Sequence, residues 1–328
     1  MGRDPNFPPH VSTFRHDGYE DAVTEQSEIH GVYGAPPREV AEAAAGATQF
    51  SPLVPGSARL EDLADGALAG ITLLAPPGTV ERRYAMAQGL RALSPDGLLT
   101  IAALKDKGGS RLKKELEAFG CAVNEESRRH HRICTVRRPA EPVGLVEAIA
   151  DGAPRFHDGL NAWTQPGVFS WDRVDPGSAL LVRTLTPLAG KGADFGAGIG
   201  FLSKAALTHP KVTSLLLIDS DRRAIEAARR NIDDPRATFA WTDVRTAGIE
   251  PGSLDFVIMN PPFHDGGAED KQLGQTFIRQ AANALRRSGT LWIVANRHLP
   301  YEKVLAEVFK VSPSRADTGG YKVFEARR

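Results

Sequence analysis

The sequence predicts an α/β protein made of two domains in tandem, and three observations carry that expectation. The chain has 328 residues, about twice a typical domain of roughly 150 residues. From about Arg173 onward, short apolar runs alternate with helical patterns, as in a mostly parallel sheet covered by helices on both faces. A poorer copy of part of that pattern occupies the first half.

In the second half a short strand ends at Asp194 and a helix follows the glycines through about Thr208. Thr213 to Ile218 reads as a leucine-rich second strand. The next helix has Ser220 or Asp221 as its N-cap, and Ala224, Ile225, Ala228 and Ile232 give it a buried stripe. Thr238 to Trp241 is a third strand. Ser253 to Met259 is a fourth, stopped by Pro261 and Pro262, which lack amide hydrogens and cannot continue a ladder. A helix from about Lys271 to Arg287 and a strand from Thr290 to Ala295 complete another unit, and a helix and terminal strands follow Tyr301.

In the first half, Ile71-Thr72-Leu73-Leu74-Ala75-Pro76-Pro77-Gly78 lines up with Phe256-Val257-Ile258-Met259-Asn260-Pro261-Pro262-Phe263. A helix follows each, and the helices run into Leu93 to Ile101 and Leu285 to Ile293, which share a leucine-to-glycine step. The pattern reads as a duplication; the alternative is two unrelated strand-loop-helix units that share a proline pair. The first copy has Ala75 and Gly78 where the second has Asn260 and Phe263, and no glycine fingerprint precedes it. Prolines and glycines between Pro139 and Gly167 break any long periodicity. The boundary is expected near residue 155, giving domains over residues 1–155 and 156–328.

Composition narrows the functions. Hydrophobic residues at 41% and charged residues at 24% exclude wholesale disorder and fibrous rods. Lys and Arg number 40 against 40 Asp and Glu, so the chain lacks the strong positive field of a non-specific nucleic-acid coat protein. Cys121 and Cys134 cannot frame a disulfide scaffold or a thiolate zinc site, which points to a reducing compartment. Met1 to His10 carries no apolar run, and no stretch approaches the roughly 20 residues that span a bilayer. A cytoplasmic protein without membrane or metal is expected.

Asp194-Phe195-Gly196-Ala197-Gly198-Ile199-Gly200 follows a strand and opens a helix, the context of a nucleotide site. A dinucleotide fingerprint counted from Gly196 would place its third glycine at Phe201, so a pyrophosphate clamp is disfavoured. Asp194 would repel phosphate and suits a ligand amine. Asp219 follows the second strand where an acid can accept both hydroxyls of a ribose. Asp243, after the third, could accept an adenine amine. Three acids at the ends of consecutive strands lie along one crevice, and S-adenosylmethionine fits amine, ribose and adenine in order.

Asn260-Pro261-Pro262-Phe263 should face the same crevice. An exocyclic base amine is a poor nucleophile because its lone pair is delocalised into the ring. The side-chain oxygen of Asn260 and the carbonyl of Pro261 can each accept one N–H, favouring a pyramidal nitrogen aimed at a methyl group. Such orientation can supply roughly 7 to 11 kcal/mol of a bimolecular barrier. Phe263 offers a flat face for an extruded base, worth roughly 1 to 3 kcal/mol. The plainer alternative is that the prolines end a strand and Phe263 packs in the core.

These residues resemble a class I S-adenosylmethionine-dependent methyltransferase of the amino-methylating group. The longer motif Asn260 to Gly266, with Pro166-Gly167-Val168-Phe169-Ser170 and Asp175-Pro176-Gly177-Ser178 before it, is similar to bacterial ribosomal RNA guanine-N2 methyltransferases of the RsmC/RlmG type. The resemblance implies two tandem Rossmann-like methyltransferase domains, the first degenerate and the second built on seven strands. It implies that Asp194, Gly196, Ala197, Gly198 and Gly200 cradle the cofactor. Asp219 and Ser220 would meet its ribose, Asp243 and Val244 its adenine, and Asn260 would stand between cofactor and base. Asn260, Pro261 and Phe263 would carry the catalysis. Phe169, Ser170, Phe263 and His264 would bind the guanine.

The implied partner is ribosomal RNA, most simply 16S, or a ribosomal subunit, met by a monomer. Candidate RNA contacts in the first half are Arg111, Lys113, Lys114, Arg128, Arg129, His130, His131, Arg132, Arg137 and Arg138; a solvated face is the alternative for each run. Other acceptors compatible with the loop are a protein glutamine and an adenine. A non-catalytic RNA-binding assembly factor is the reading from another class.

Overall fold

The computed structural model describes residues 29–262, 264–265, 268–269 and 271–328, with side chains not described over 264–271. The first part of the chain forms β1 (His30–Tyr33), β2 (Thr48–Gln49), β3 (Leu68–Leu74), α1 (Thr79–Ala92), β4 (Leu93–Leu104), α2 (Leu112–Glu117), β5 (Asn124–Arg128), β6 (His131–Arg137) and α3 (Leu145–Gly152). A hairpin of β7 (Arg155–His157) and β8 (Ala162–Thr164) leads to α4 (Pro176–Thr184), β9 (Ala189–Phe195), α5 (Phe201–Leu207), β10 (Lys211–Asp219), α6 (Arg222–Asn231), β11 (Ala237–Trp241) and β12 (Leu254–Met259). The chain ends with β13 (His264–Asp265), β14 (Ala268–Glu269), α7 (Lys271–Ala284), β15 (Leu285–Asn296), α8 (Tyr301–Val308), β16 (Ser314–Thr318) and β17 (Tyr321–Arg327).

The strands form two large sheets, ordered β2-β1-β3-β4-β6-β5 and β11-β10-β9-β12-β15-β17-β16. In the second sheet the strands from β11 to β15 run parallel, β17 runs antiparallel to β15, and β16 runs antiparallel to β17. Its strands are apolar on both faces because helices cover both: Phe195, Val257 and Ile293 pack on α7 and α8, while Leu217, Ile258 and Val294 pack towards α4 and α5. Helix α7 stops at Ala284, short of the expected Arg287, because Leu285 already pairs with Leu254. Residues 286–289 then turn through Ser288, whose φ is 68°.

The first sheet repeats the second, less one edge strand among the described residues. Both have a bulge at the same point, between Leu68 and Gly70 and between Leu254 and Phe256. Both turn into the next strand through a positive-φ residue before a glycine: Asp96 at 61° and Ser288 at 68°.

The ladders also correct the alignment read from the proline pairs. Leu74 pairs with Ala102 in one sheet, and Met259 with Ile293 in the other. Carried through the shared turn, this places Leu74, not Ala75, opposite Asn260. By the same registers Val32, Gly34 and Pro36 stand at the places of Asp194, Gly196 and Gly198. The first copy therefore keeps one loop glycine and loses the acid and the amide.

Two carbonyls further along its loop are also bound internally. The buried guanidinium of Arg82 donates to the carbonyls of Pro76 and Pro77 at 3.3 and 2.7 Å and to both carboxylate oxygens of Glu115 at 2.8 and 2.7 Å. A β-carbon on Gly108 would lie 2.3 Å from that guanidinium, so only glycine leaves room for the plug.

The two domains meet at the start of α6. Arg222 donates its backbone N–H to the carbonyl of Pro52 and its side chain to Ala58 and Glu61. Arg223 pairs with Glu81 of α1 at 2.7 Å, both side chains being buried. Its other face is held by Asp221 at 2.8 Å.

Candidate active site

The site lies where β9, β10 and β12 end. Gly196, Ala197 and Gly198 turn away from β9 with the amides of Gly196 and Ala197 donating to the Ile218 carbonyl and that of Gly198 donating to Asp219 at 2.8 Å. Gly200 donates to Ala197. These amides are satisfied within the chain, so the loop offers them to no phosphate. Gly196, Gly198 and Gly200 have φ of 75°, 54° and 88°, values that favour glycine.

The three acids lie at adjacent strand ends, each in a different setting. Asp194 is fully buried; one oxygen accepts from the Ser203 hydroxyl at 2.6 Å, and the other has no hydrogen-bond partner among the described residues. Burial pushes its carboxyl up to about 7, with the Ser203 hydroxyl opposing and the charge of Asp219 adding. Asp219 is pushed up to about 6 by burial and by Asp221, although it accepts the amides of Gly198 and Asp221. Asp243 is partly buried, which raises its carboxyl, but bonds from the side chain and backbone of Arg245 hold it below the usual range. Ser220 is exposed and Val244 is buried, so Val244 could reach a ligand only through its backbone.

Asn260 follows β12 and is half-buried. Its Nδ2 donates to Asp175 Oδ2 and to Ser178 Oγ, each at 2.9 Å. The same Asp175 oxygen caps α4 by accepting the Ser178 amide at 2.6 Å. The amide oxygen of Asn260 is thereby left to accept, while Pro261, next in the chain, is buried. Asn260, Asp175, Ser178, Phe169, Ser170 and the glycine loop line one cleft. Phe169 is 54% exposed there. Phe263 lies outside the described residues, and of His264 only the backbone pairing with Glu269 is described.

Two features at these strand ends fit S-adenosylmethionine. The partnerless oxygen of Asp194 suits a cationic amine, and a β-carbon on Gly198 would meet nothing within 4 Å, leaving open space over the loop. No group of His, Cys, Asp and Glu among the described residues could hold a metal, and no helix of those residues is long and apolar enough to cross a membrane.

A pH test follows from Asp194. A cationic amine favours its ionised form, so binding S-adenosylmethionine should release protons below about pH 7. Affinity should rise as pH passes through that value. Calorimetry in buffers of different ionisation heat reads the release, and Asp194→Asn should abolish it and weaken binding about tenfold. Because the folded value lies above 3.8, the carboxyl's contribution to stability is complete below 3.8 and lost as pH rises through about 7. The Asn variant should therefore be the more stable protein at alkaline pH without ligand. Unchanged proton release in that variant would contradict the role given to Asp194.

The family described as "Methyltransferase small domain" matches residues 159–325. The ribosomal RNA small subunit methyltransferase C of Salmonella paratyphi B is 41% identical over 250 residues, covering 71% of this chain and 68% of that protein. The chain belongs to the ribosomal RNA small subunit methyltransferase C family. A Salmonella arizonae member is 36% identical over 241 residues, with the same coverage of 71% and 68%. In fold, the chain is similar to the T. thermophilus 16S rRNA N2 G1207 methyltransferase (RsmC), a structure in complex with AdoMet and guanosine. That match has a TM-score of 0.73 at 24% identity over 95% of this chain and 93% of the other.

As a member of the methyltransferase C family the chain is an S-adenosylmethionine-dependent methyltransferase. Its sequence hid the partners of the site residues. Asp175-Pro176-x-Ser178 reads as a helix cap, and nothing local says that the cap also touches Asn260, 85 residues away. Ser203 under Asp194 carries no signal beyond lying on the next helix. Among the basic candidates for RNA contact, Arg128, Arg129, Arg132 and Lys113 lie beside Glu126, Glu39, Glu125 and Glu117, which dilutes the local charge.

Proposed function

We propose that the C-terminal domain, over residues 156–328, methylates the exocyclic N2 amine of a guanine in 16S ribosomal RNA, and that the domain over residues 1–155 helps to position the RNA. The observation that carries this reading is the half-buried Asn260, whose amide oxygen is left to accept in a cleft beside the glycine loop. Family membership supports the substrate class and a cytoplasmic setting, and the chain is expected to act there as a monomer.

Asp194 would hold the amine of the cofactor, Asp219 and Ser220 its ribose, and Asp243 with the backbone of Val244 its adenine. Gly196, Ala197, Gly198 and Gly200 keep the loop low enough to admit it. When bound, S-adenosylmethionine supplies an electrophilic methyl carbon whose bond to sulfur breaks as the bond to nitrogen forms, leaving a neutral thioether. Asn260 Oδ1 and the Pro261 carbonyl accept the two N–H bonds of the amine and turn its lone pair out of the ring. The methylated nitrogen sheds one proton to water, since neither acceptor is a base. Phe169, Ser170, Phe263 and His264 would enclose the guanine, and Arg111, Lys113, Lys114, Arg128, Arg129, His130, His131, Arg132, Arg137 and Arg138 would meet phosphate.

The test is transfer of labelled methyl from S-adenosylmethionine to purified small ribosomal subunits and to their naked RNA, followed by nucleoside analysis. N2-methylguanosine is expected. Label in adenosine or in protein would overturn the acceptor, and no transfer to either substrate would overturn the activity.

A further inference from the structure

We infer that Asp175 and Ser178 are positioning residues that decide which end of the Asn260 amide faces the substrate. The inference rests on the proposed reaction and adds to it two residues whose part is to hold Asn260.

A primary amide has a donor end and an acceptor end of nearly the same size, so shape alone does not choose between them. The chemistry around Asn260 does. An ionised carboxylate only accepts, and Asp175 Oδ2 lies 2.9 Å from Asn260 Nδ2. Turning the amide over would put two oxygens at that distance and lose a charge-assisted hydrogen bond. Ser178 Oγ, also 2.9 Å from Nδ2, reinforces the choice. The turned amide would also aim N–H at the N–H of the incoming amine, so transfer would lose one of its two acceptors.

The device is rigid because it is part of a helix start. Asp175 is the N-cap of α4, Pro176 occupies the first turn, and the Ser178 amide binds the same carboxylate oxygen at 2.6 Å. A β-carbon on Gly177 would stand 2.8 Å from the Tyr321 ring, so the absence of a side chain lets α4 seat directly against β17. The loop that delivers the acceptor and the helix that orients it are thus fixed independently.

Four variants of the full-length protein test this with S-adenosylmethionine and small ribosomal subunits, with kcat, KM, cofactor Kd and thermal midpoint read for each. Asp175→Ser keeps a capping oxygen but is too short to reach Asn260; kcat should fall about tenfold, with cofactor Kd and thermal midpoint close to the parent's. Asp175→Asn keeps the reach but can present either end of its own amide, so the one-sided choice is lost and kcat should fall several-fold with cofactor Kd close to the parent's. Asn260→Asp sets two carboxylates face to face and should lose activity about 100-fold. Adding Asp175→Asn to it restores a donor opposite the new carboxylate and should recover at least about tenfold of that loss.

A merely structural cap would not predict that rescue. A kcat for Asp175→Ser equal to the parent's, or a double variant no better than Asn260→Asp, overturns the positioning role while leaving the proposed reaction standing. If the parent transfers no methyl to guanine, the reaction fails and the positioning role falls with it.

Discussion

Asn260→Ala should lower kcat by about 100- to 1,000-fold, the range for removing one well-placed group that acts on a reacting atom in the transition state. Cofactor affinity should stay within a small factor of the parent's, because the contacts proposed for Asp194 and Asp219 would be made from β9, β10 and the glycine loop. The separation matters. A side chain that only completed the cofactor cleft would raise the cofactor Kd as much as it lowered kcat. Single-turnover kinetics at saturating cofactor, alongside calorimetric titration of the same protein, read the two effects apart. Residual activity is expected from the Pro261 carbonyl, which the substitution does not remove.

The largest stability effect should come from Arg223→Ala. Its guanidinium joins α6 of the second domain to Glu81 of the first and braces Asp221, whose amide in turn binds Asp219. Removing it leaves a buried carboxylate without its partner, which costs about 3 to 5 kcal/mol. Glu81→Gln should cost less, since Arg223 keeps Asp221. The effect should depend on pH. Burial already raises Glu81 above its usual 4.5, with Arg223 opposing. Without Arg223 the folded value rises further, so the variant's deficit is smallest below about 4.5 and grows as pH rises through the new folded value. Urea unfolding of parent and variants at acid and neutral pH checks both magnitude and sign.

The parts of this molecule that were legible in the sequence are those in which one segment carries both the element and the chemistry. The acids at Asp194, Asp219 and Asp243 each end an apolar run, and Asn260 ends another. Period and punctuation therefore mark four candidate site residues at neighbouring strand ends. What the sequence hid lies between segments. Helix α1 buries Glu81, Arg82 and Gln88, so it shows no clean apolar stripe and gives no warning that two of these charges have buried partners. Arg82 reads as a surface charge but seals the loop of the first copy. Aligning the copies by their prolines slid the first by one residue, because Leu74 and Ala75 offer no polar marker. The matching bulges, which only pairing reveals, restore the register. The basic runs were legible as charge, yet Glu39 and Glu125, which sit against them, come from a different loop and a different strand.

The proposed reaction depends on where the guanine amine sits, and a crystal structure of the chain with S-adenosylhomocysteine and guanosine measures that directly. The expected result has the exocyclic nitrogen within hydrogen-bonding distance of both Asn260 Oδ1 and the Pro261 carbonyl, with the amide nitrogen of Asn260 still on Asp175. A guanosine bound with that nitrogen turned away from both oxygens, or an Asn260 amide reversed towards Asp175, would contradict it.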